Sequence, residues 1–305
     1  MTKKIVLIIL IFGFAALLFP KDAFGGAWTV PKYKVWSEFY MKWESATETY
    51  GDDWQRDEKE NQARSWDFVF EPKIEVGLTD WLNFLFSLEY KDMNYKEYDP
   101  PTTQWRQRPP VSHPFSHDSN GLTSVRIGAK ARFLEQPFVL SGLFKAHIYP
   151  GYGLDHGDDP EYRHEPKLGY GENIYELRGL AGKTFNFTPF KGISLPGYAG
   201  IESGFRWKTR GVSNDVPVFA EIGIWPCKWL LLQTELDTVW CLRRTGSIDS
   251  SWGIWRIGPV LQSLGDSALR EGKEIINFQL QYGTAVWGRN YDAYQEIVFK
   301  VQLQF

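Results

Sequence analysis

Gln295-Glu296-Ile297-Val298-Phe299-Lys300-Val301-Gln302-Leu303-Gln304-Phe305 closes the chain. Ile297, Phe299, Val301, Leu303 and Phe305 fall on one face of a two-residue repeat, and Val298, Lys300, Gln302 and Gln304 fall on the other. A strand with a charge-free apolar face and an aromatic last residue is what the lipid-facing wall of an outer-membrane barrel requires. The same alternation would suit an edge strand of a water-soluble sandwich, so the rest of the chain has to decide.

The other end argues for the membrane. Lys3 and Lys4 precede an apolar run from Ile5 to Phe19, followed by Pro20 and the small-residue stretch Ala23-Phe24-Gly25-Gly26-Ala27. This order predicts a secretory signal peptide over residues 1–27, cleaved after Gly25 or Ala27. The run is shorter than the ~20 residues of a spanning helix. Its removal takes away three lysines and one aspartate and moves the net charge from −3 to −5, which does not suit nucleic-acid binding. No later run has helical-span length, so a membrane protein made of residues 28–305 has to be a single barrel domain. Aromatic residues are 16% of the chain, with 14 Trp and 15 Tyr, enough for girdles at both interfaces.

Twelve alternating segments are expected. The clearest places Trp66, Phe68, Phe70, Pro72, Ile74, Val76 and Leu78 opposite Asp67, Val69, Glu71, Lys73, Glu75 and Gly77. It is preceded by a strand from Val35 to Trp43. It is followed, past the turn Thr79-Asp80-Trp81, by strands over Leu82 to Tyr90, Val125 to Phe133 and Phe138 to Ile148. Seven less regular segments follow: Tyr175 to Phe185, Ala199 to Trp207, Val218 to Ile224, Leu230 to Val239, Trp252 to Leu261, Ile275 to Trp287 and the terminal strand. Pro259 weakens the tenth as a hydrogen-bonded strand. Long polar connections at Glu44 to Ala63, Lys96 to Gly121 and Pro150 to Glu172 alternate with short turns, the parity of an outer-membrane barrel. Asn186 to Leu195 and Leu264 to Glu274 are longer than that rule prefers. Cys227 and Cys241 are expected at opposite ends of one strand, beyond disulfide reach.

In a barrel the inward residues carry the function. The pattern turns Glu38, Asp67, Glu71, Lys73, Glu75, Glu89, Lys91, Arg126, Lys130, Arg132, Lys145, His147, Glu202, Arg206, Glu221, Glu235 and Arg256 toward the lumen, along with Glu176, Arg178, Lys208, Asp237 and Lys300. Acids dominate the second and third strands and bases the fourth and fifth, so cross-strand ion pairs are expected. Two readings stay open. The pairs hold a narrow lumen shut, or a solvated pore has walls of opposite charge. Trp105 and Phe115, in the proline-rich second loop, are expected at the mouth. His113, His117, His156 and His164 are too loosely spaced to imply a metal, and no cofactor is expected. His147 and Ser141 share a strand about 20 Å apart, too far for a nucleophile–base pair, so no enzyme is expected.

The stretch Gly26-Ala27-Trp28-Thr29-Val30-Pro31-Lys32 with Trp36-Ser37, and the hairpin Gly77-Leu78-Thr79-Asp80, resemble a bacterial group of outer-membrane proteins. These are the MetA-type barrels associated with phenol-degradation pathways, distantly similar to the fatty-acid and aromatic-hydrocarbon transporter superfamily. The resemblance implies a passive channel for small hydrophobic or aromatic compounds. The chain departs from the hydrocarbon transporters in leaving only about ten residues between the cleavage site and the first strand, so no N-terminal hatch is expected.

The expectation is therefore an all-β, up-and-down transmembrane barrel of the outer membrane, a passive channel for small solutes with a narrow charged lumen. Its outer face meets lipid, and its terminal strand, ending at Phe305, engages the barrel-assembly machinery. A non-conducting barrel anchoring an envelope complex is the alternative, and an outer-membrane hydrolase the third.

Overall fold

The computed structural model describes residues 26–59, 63–97, 115–150, 171–190, 193–209, 213–242, 250–262 and 275–305. Its main strands are β1 (Val35–Ala46), β4 (Arg64–Gly77), β5 (Leu82–Glu97), β6 (Phe115–Leu134), β7 (Val139–Ile148) and β8 (Ile174–Phe190). They continue with β9 (Ile193–Lys208), β10 (Asp215–Cys227), β11 (Leu230–Cys241), β12 (Ser251–Gln262), β13 (Ile275–Arg289) and β15 (Gln295–Gln304). These twelve strands close into one antiparallel barrel, each beside its sequence neighbour, and β1 pairs with β15 to seal it. Val35 and Phe305 exchange two backbone hydrogen bonds of 2.9 and 3.1 Å at the foot of that seam.

The alternation in the terminal strand has the expected phase. Glu296, Val298 and Gln304 are buried inside, whereas Ile297 is half exposed on the outer wall. Around the barrel, Phe39, Ile74, Phe84, Ile127, Phe144, Leu177, Ile201, Ile222, Leu232, Ile257 and Leu280 form an exposed apolar belt. Such a belt is unfavourable in water and suits acyl chains. Trp43, Trp66, Trp207 and Trp240 flank it at one end, and Trp81, Phe133, Trp229 and Phe305 at the other, as interface girdles require.

Several boundaries differ from expectation. β8 runs on to Phe190 and β9 starts at Ile193, so the segment Asn186 to Leu195 is a strand hairpin. Its long turn disappears, and the short-turn rule holds there. β5 and β6 extend outward until Glu97 pairs with Phe115, which makes Phe115 the first residue of a strand and not part of a loop. The connection after β1 folds into a hairpin, β2 (Glu48–Tyr50) and β3 (Arg56–Glu58), which pairs with β14 (Tyr291–Asp292) as a small sheet beyond the barrel. Tyr50 plugs that sheet onto Ala285 and Ala293.

Pro259 keeps register with Leu232 on β11. On its other side the pairing with β13 passes from Ile257↔Tyr282 to Val260↔Gln279, consistent with the missing N–H. Cys227 ends β10 and Cys241 ends β11, so they lie at opposite ends of a hairpin instead of one strand, and no disulfide joins them.

Candidate functional site

All twenty-two ionisable residues assigned inward from the alternation are buried or half-buried. They do not segregate into two walls. In a sheet, facing residues on adjacent strands stand about 5 Å apart, well within reach of arginine and lysine, so acid and base interleave. Arg126 on β6 bridges Glu71 at 2.5 Å and Glu89, the latter a very short contact. Lys130 meets Glu75 at 2.7 Å, and Lys73 meets Glu38 at 2.9 Å and Glu71 at 3.5 Å. Across the lumen Arg178 joins Glu176 at 2.6 Å and Glu202 at 3.1 Å, while Arg206 contacts Glu176. A third group sets Arg256 against Glu296 and Asp237, with Lys300 on Glu235 at 3.1 Å.

These groups surround a cavity of about 580 Å³ in the half of the lumen toward the long loops. Glu71, Arg126, Glu202, Arg206, Glu235 and Arg256 line it, and Tyr291, Tyr294 and Trp252 stand toward its outer end. The opposite half has another character. Val139, Leu143 and Leu180 form one buried apolar cluster, and Tyr198, Leu231 and Val260 form a second.

The chain's own N-terminal segment covers both clusters. From β1 it turns at the short-turn mouth of the barrel, where Lys32 donates its N–H to Asp80 Oδ1 at 3.1 Å and Thr29 Oγ1 donates to the Asp80 carbonyl at 2.9 Å. It then crosses the lumen. Ala27 packs on Val139, Leu143 and Leu180, and its carbonyl accepts from Ser141 Oγ at 2.5 Å. The Trp28 ring stands edge-on to Tyr198, 6.2 Å between centroids. Gly26 reaches β10, where its N–H donates to Glu221 Oε1 at 3.3 Å. Since β10 lies nearly opposite the β4–β5 turn in the strand order, the segment is a chord across the barrel.

This overturns the expectation that so short a lead would form no hatch. The signal was present in the apolar residues Ala27, Trp28 and Val30. Nothing in the local sequence says that apolar inward positions on four or five distant strands will meet them. Gly182 shows the fit, because a Cβ there would lie 2.6 Å from the Trp28 ring.

Other expected residues are placed as follows. Arg132 sits at the rim, donating to the Asp80 carbonyl at 2.9 Å and pairing with Glu135 at 3.6 Å, and so braces the β4–β5 turn instead of lining the cavity. Lys145 lies 4.0 Å from Glu176. His147 Nε2 is buried without a hydrogen bond among the described residues. Trp105, His113, His156 and His164 lie outside the described residues, and Phe115, expected in a loop at the mouth, begins β6. Among the described residues no cluster has the make-up of a metal site.

No protein-family model matches the chain, and no curated protein is significantly similar to it in sequence. Among solved structures it is similar to the COG4313 outer membrane channel from Pseudomonas putida F1, with TM-score 0.61, 11% identity, and coverage of 93% of this chain and 100% of that one. A more distant likeness is the translocator domain of the autotransporter NalP from Neisseria meningitidis, with TM-score 0.45, 9% identity and coverage of 89% and 88%. Another is the TodX monoaromatic hydrocarbon channel, with TM-score 0.36, 8% identity and coverage of 90% and 91%. At these identities the likeness is one of fold: a closed, antiparallel, twelve-stranded barrel of the outer-membrane kind.

Proposed function

We propose that the protein resides in a bacterial outer membrane, assembled through its terminal strand ending at Phe305, and conducts small solutes passively through its lumen. The observation that carries this reading is the charged cavity of about 580 Å³ resting on a floor made of residues 26–30. A floor of wall side chains would be permanent, because each is fixed to a strand. A floor that belongs to no strand, and is held by hydrogen bonds and packing, can be displaced without disturbing the barrel.

The lining suggests the solute class. Tyr291, Tyr294, Trp252 and Phe219 supply rings near the outer end, and the paired charges lie below them. A small aromatic compound bearing a polar or ionised group matches that sequence of surfaces better than a purely apolar hydrocarbon does. The resemblance of the hairpin and N-terminal motifs to phenol-associated barrels points the same way.

Planar-bilayer recording tests the proposal. The wild type is expected to show brief, low-conductance steps, and Trp28→Ala larger and longer ones. Silence from both proteins would establish the non-conducting barrel instead. Phospholipid or peptide cleavage by the wild type that disappears in His147→Ala would establish a hydrolase.

A further inference from the structure

Glu221 is a buried carboxylate in the middle of the lumen. Every other acid in the ion-pair groups described above has a lysine or arginine against it. Glu221 has Tyr198 Oη at 3.2 Å, Gln233 Nε2 at 2.9 Å and the Gly26 N–H at 3.3 Å, and no lysine or arginine pairs with it among the described residues. A buried carboxylate lacking a cation is costly, and neutral donors offset only part of that cost.

The Glu202 carboxylate approaches Gly26 from the other side, so closely that a Cβ on Gly26 would overlap it. Its own partner is Arg178. Lys130 Nζ holds the Gly26 carbonyl at 3.4 Å. The Gly26 nitrogen therefore donates to one acid while the side chain of a second crowds the Gly26 α-carbon.

We propose that the signal segment is cut between Gly25 and Gly26, and that the α-ammonium released at Gly26 pairs with Glu221 to lock residues 26–30 as the floor of the lumen. The step is hydrolysis by an envelope signal peptidase. Water adds across the Gly25–Gly26 bond, leaving a carboxylate on Gly25 and an ammonium on Gly26. One neutral N–H becomes three N–H donors and a unit positive charge, which is what Glu221 lacks.

Ala23 and Gly25 are the small residues such a cut needs at the third and first positions before it. Ala27 could serve equally by sequence. A cut there would discard Gly26 and Ala27, and with them the Ser141, Lys130 and Glu221 hydrogen bonds and the apolar cluster under Ala27. In this scheme the floor is set only in the processed protein, because the precursor carries an uncharged amide at Gly26. The inference rests on the exported-barrel reading but not on conduction.

Intact-mass measurement of the protein purified from outer membranes tests the cut. A chain of residues 26–305 is expected, and one starting at Trp28 or retaining residues before Gly26 overturns the proposal. Amine acylation at neutral pH, read on the N-terminal peptide, tests the pairing without any conductance measurement. Labelling of the folded wild type should be at least about tenfold slower than in the urea-unfolded protein, because a paired and shielded ammonium offers little free amine. Glu221→Gln should recover most of that rate while retaining folded electrophoretic mobility. Equal rates in folded and unfolded wild type, or an unchanged folded rate in Glu221→Gln, would sink it. If Glu221→Gln does not fold, the wild-type comparison alone decides.

Discussion

The two halves of the lumen are built on different principles. Toward the long loops the wall is satisfied by itself: Arg126, Arg178, Arg206 and Arg256 each contact two or more acids, and a cavity remains between them. Toward the short turns the wall is filled by something other than itself. Val139, Leu143 and Leu180 point inward and are covered by Ala27 and Trp28, and Trp28 also packs on the cluster of Tyr198, Leu231 and Val260 beside Trp225. A passage kept open needs walls that do not require a guest, and a passage that closes needs a guest that fits. Here a self-satisfied half and a filled half are stacked along the barrel axis.

The contrast can be broken most forcefully in the self-satisfied half. Arg126→Ala strands Glu71 and Glu89 together, and should cost about 3 kcal/mol, the lower end of the range for breaking a buried pair because lumen water reaches the site. Urea unfolding in lipid vesicles measures it, and a loss below about 1 kcal/mol would mean the groups are far more solvated than their burial implies.

In the guest-filled half, Gly182→Val places methyl groups where the Trp28 ring lies. Overpacking of this kind costs about 1–3 kcal/mol when the neighbour cannot leave. On the proposed function the floor yields to this overpacking, so stability should fall by the lesser amount while conductance rises as in Trp28→Ala. A full stability loss without any rise would show that residues 26–30 are an integral part of the wall.

Trp54→Ala tests a place outside both halves. Its ring packs on Trp287 at 5.7 Å and Trp240 at 6.2 Å beside the outer sheet. Removing it should cost about 1 kcal/mol and leave conductance unaltered.

The smallest expected effect sharpens the picture. Glu71→Gln removes one negative charge from the cavity while Arg126 keeps Glu89. The reversal potential in a salt gradient should move toward anion preference, with little change in stability. An unmoved potential would place Glu71 off the conducting path.

Much of this could be read directly from the residues. The face assignment of Ile297, Phe299, Lys300 and Gln302 needs only the two-residue period, because a one-residue slip would turn every side chain to the wrong solvent. For the same reason the period alone puts the acids and bases on one face, and those residues are buried or half-buried. Their partners were only partly legible. Glu71, Glu89 and Arg126 sit on strands adjacent in sequence and could be matched. Glu176 with Arg206, or Glu235 with Lys300, depends on register or on reach across the lumen. The hairpin of β2 and β3 was hidden in a polar stretch with no alternation, since its anchor is Tyr50 against Ala285, more than two hundred residues away.

Alternation and the terminal aromatic strand were enough to specify a closed wall, oily outside and charged within, because each is a local property that lipid or water judges one residue at a time. What fills the wall was decided only when the strands closed. Ala27 and Trp28 acquire their partners from β7, β8 and β9 at once, and such a coincidence exists in space before it can be seen along the chain.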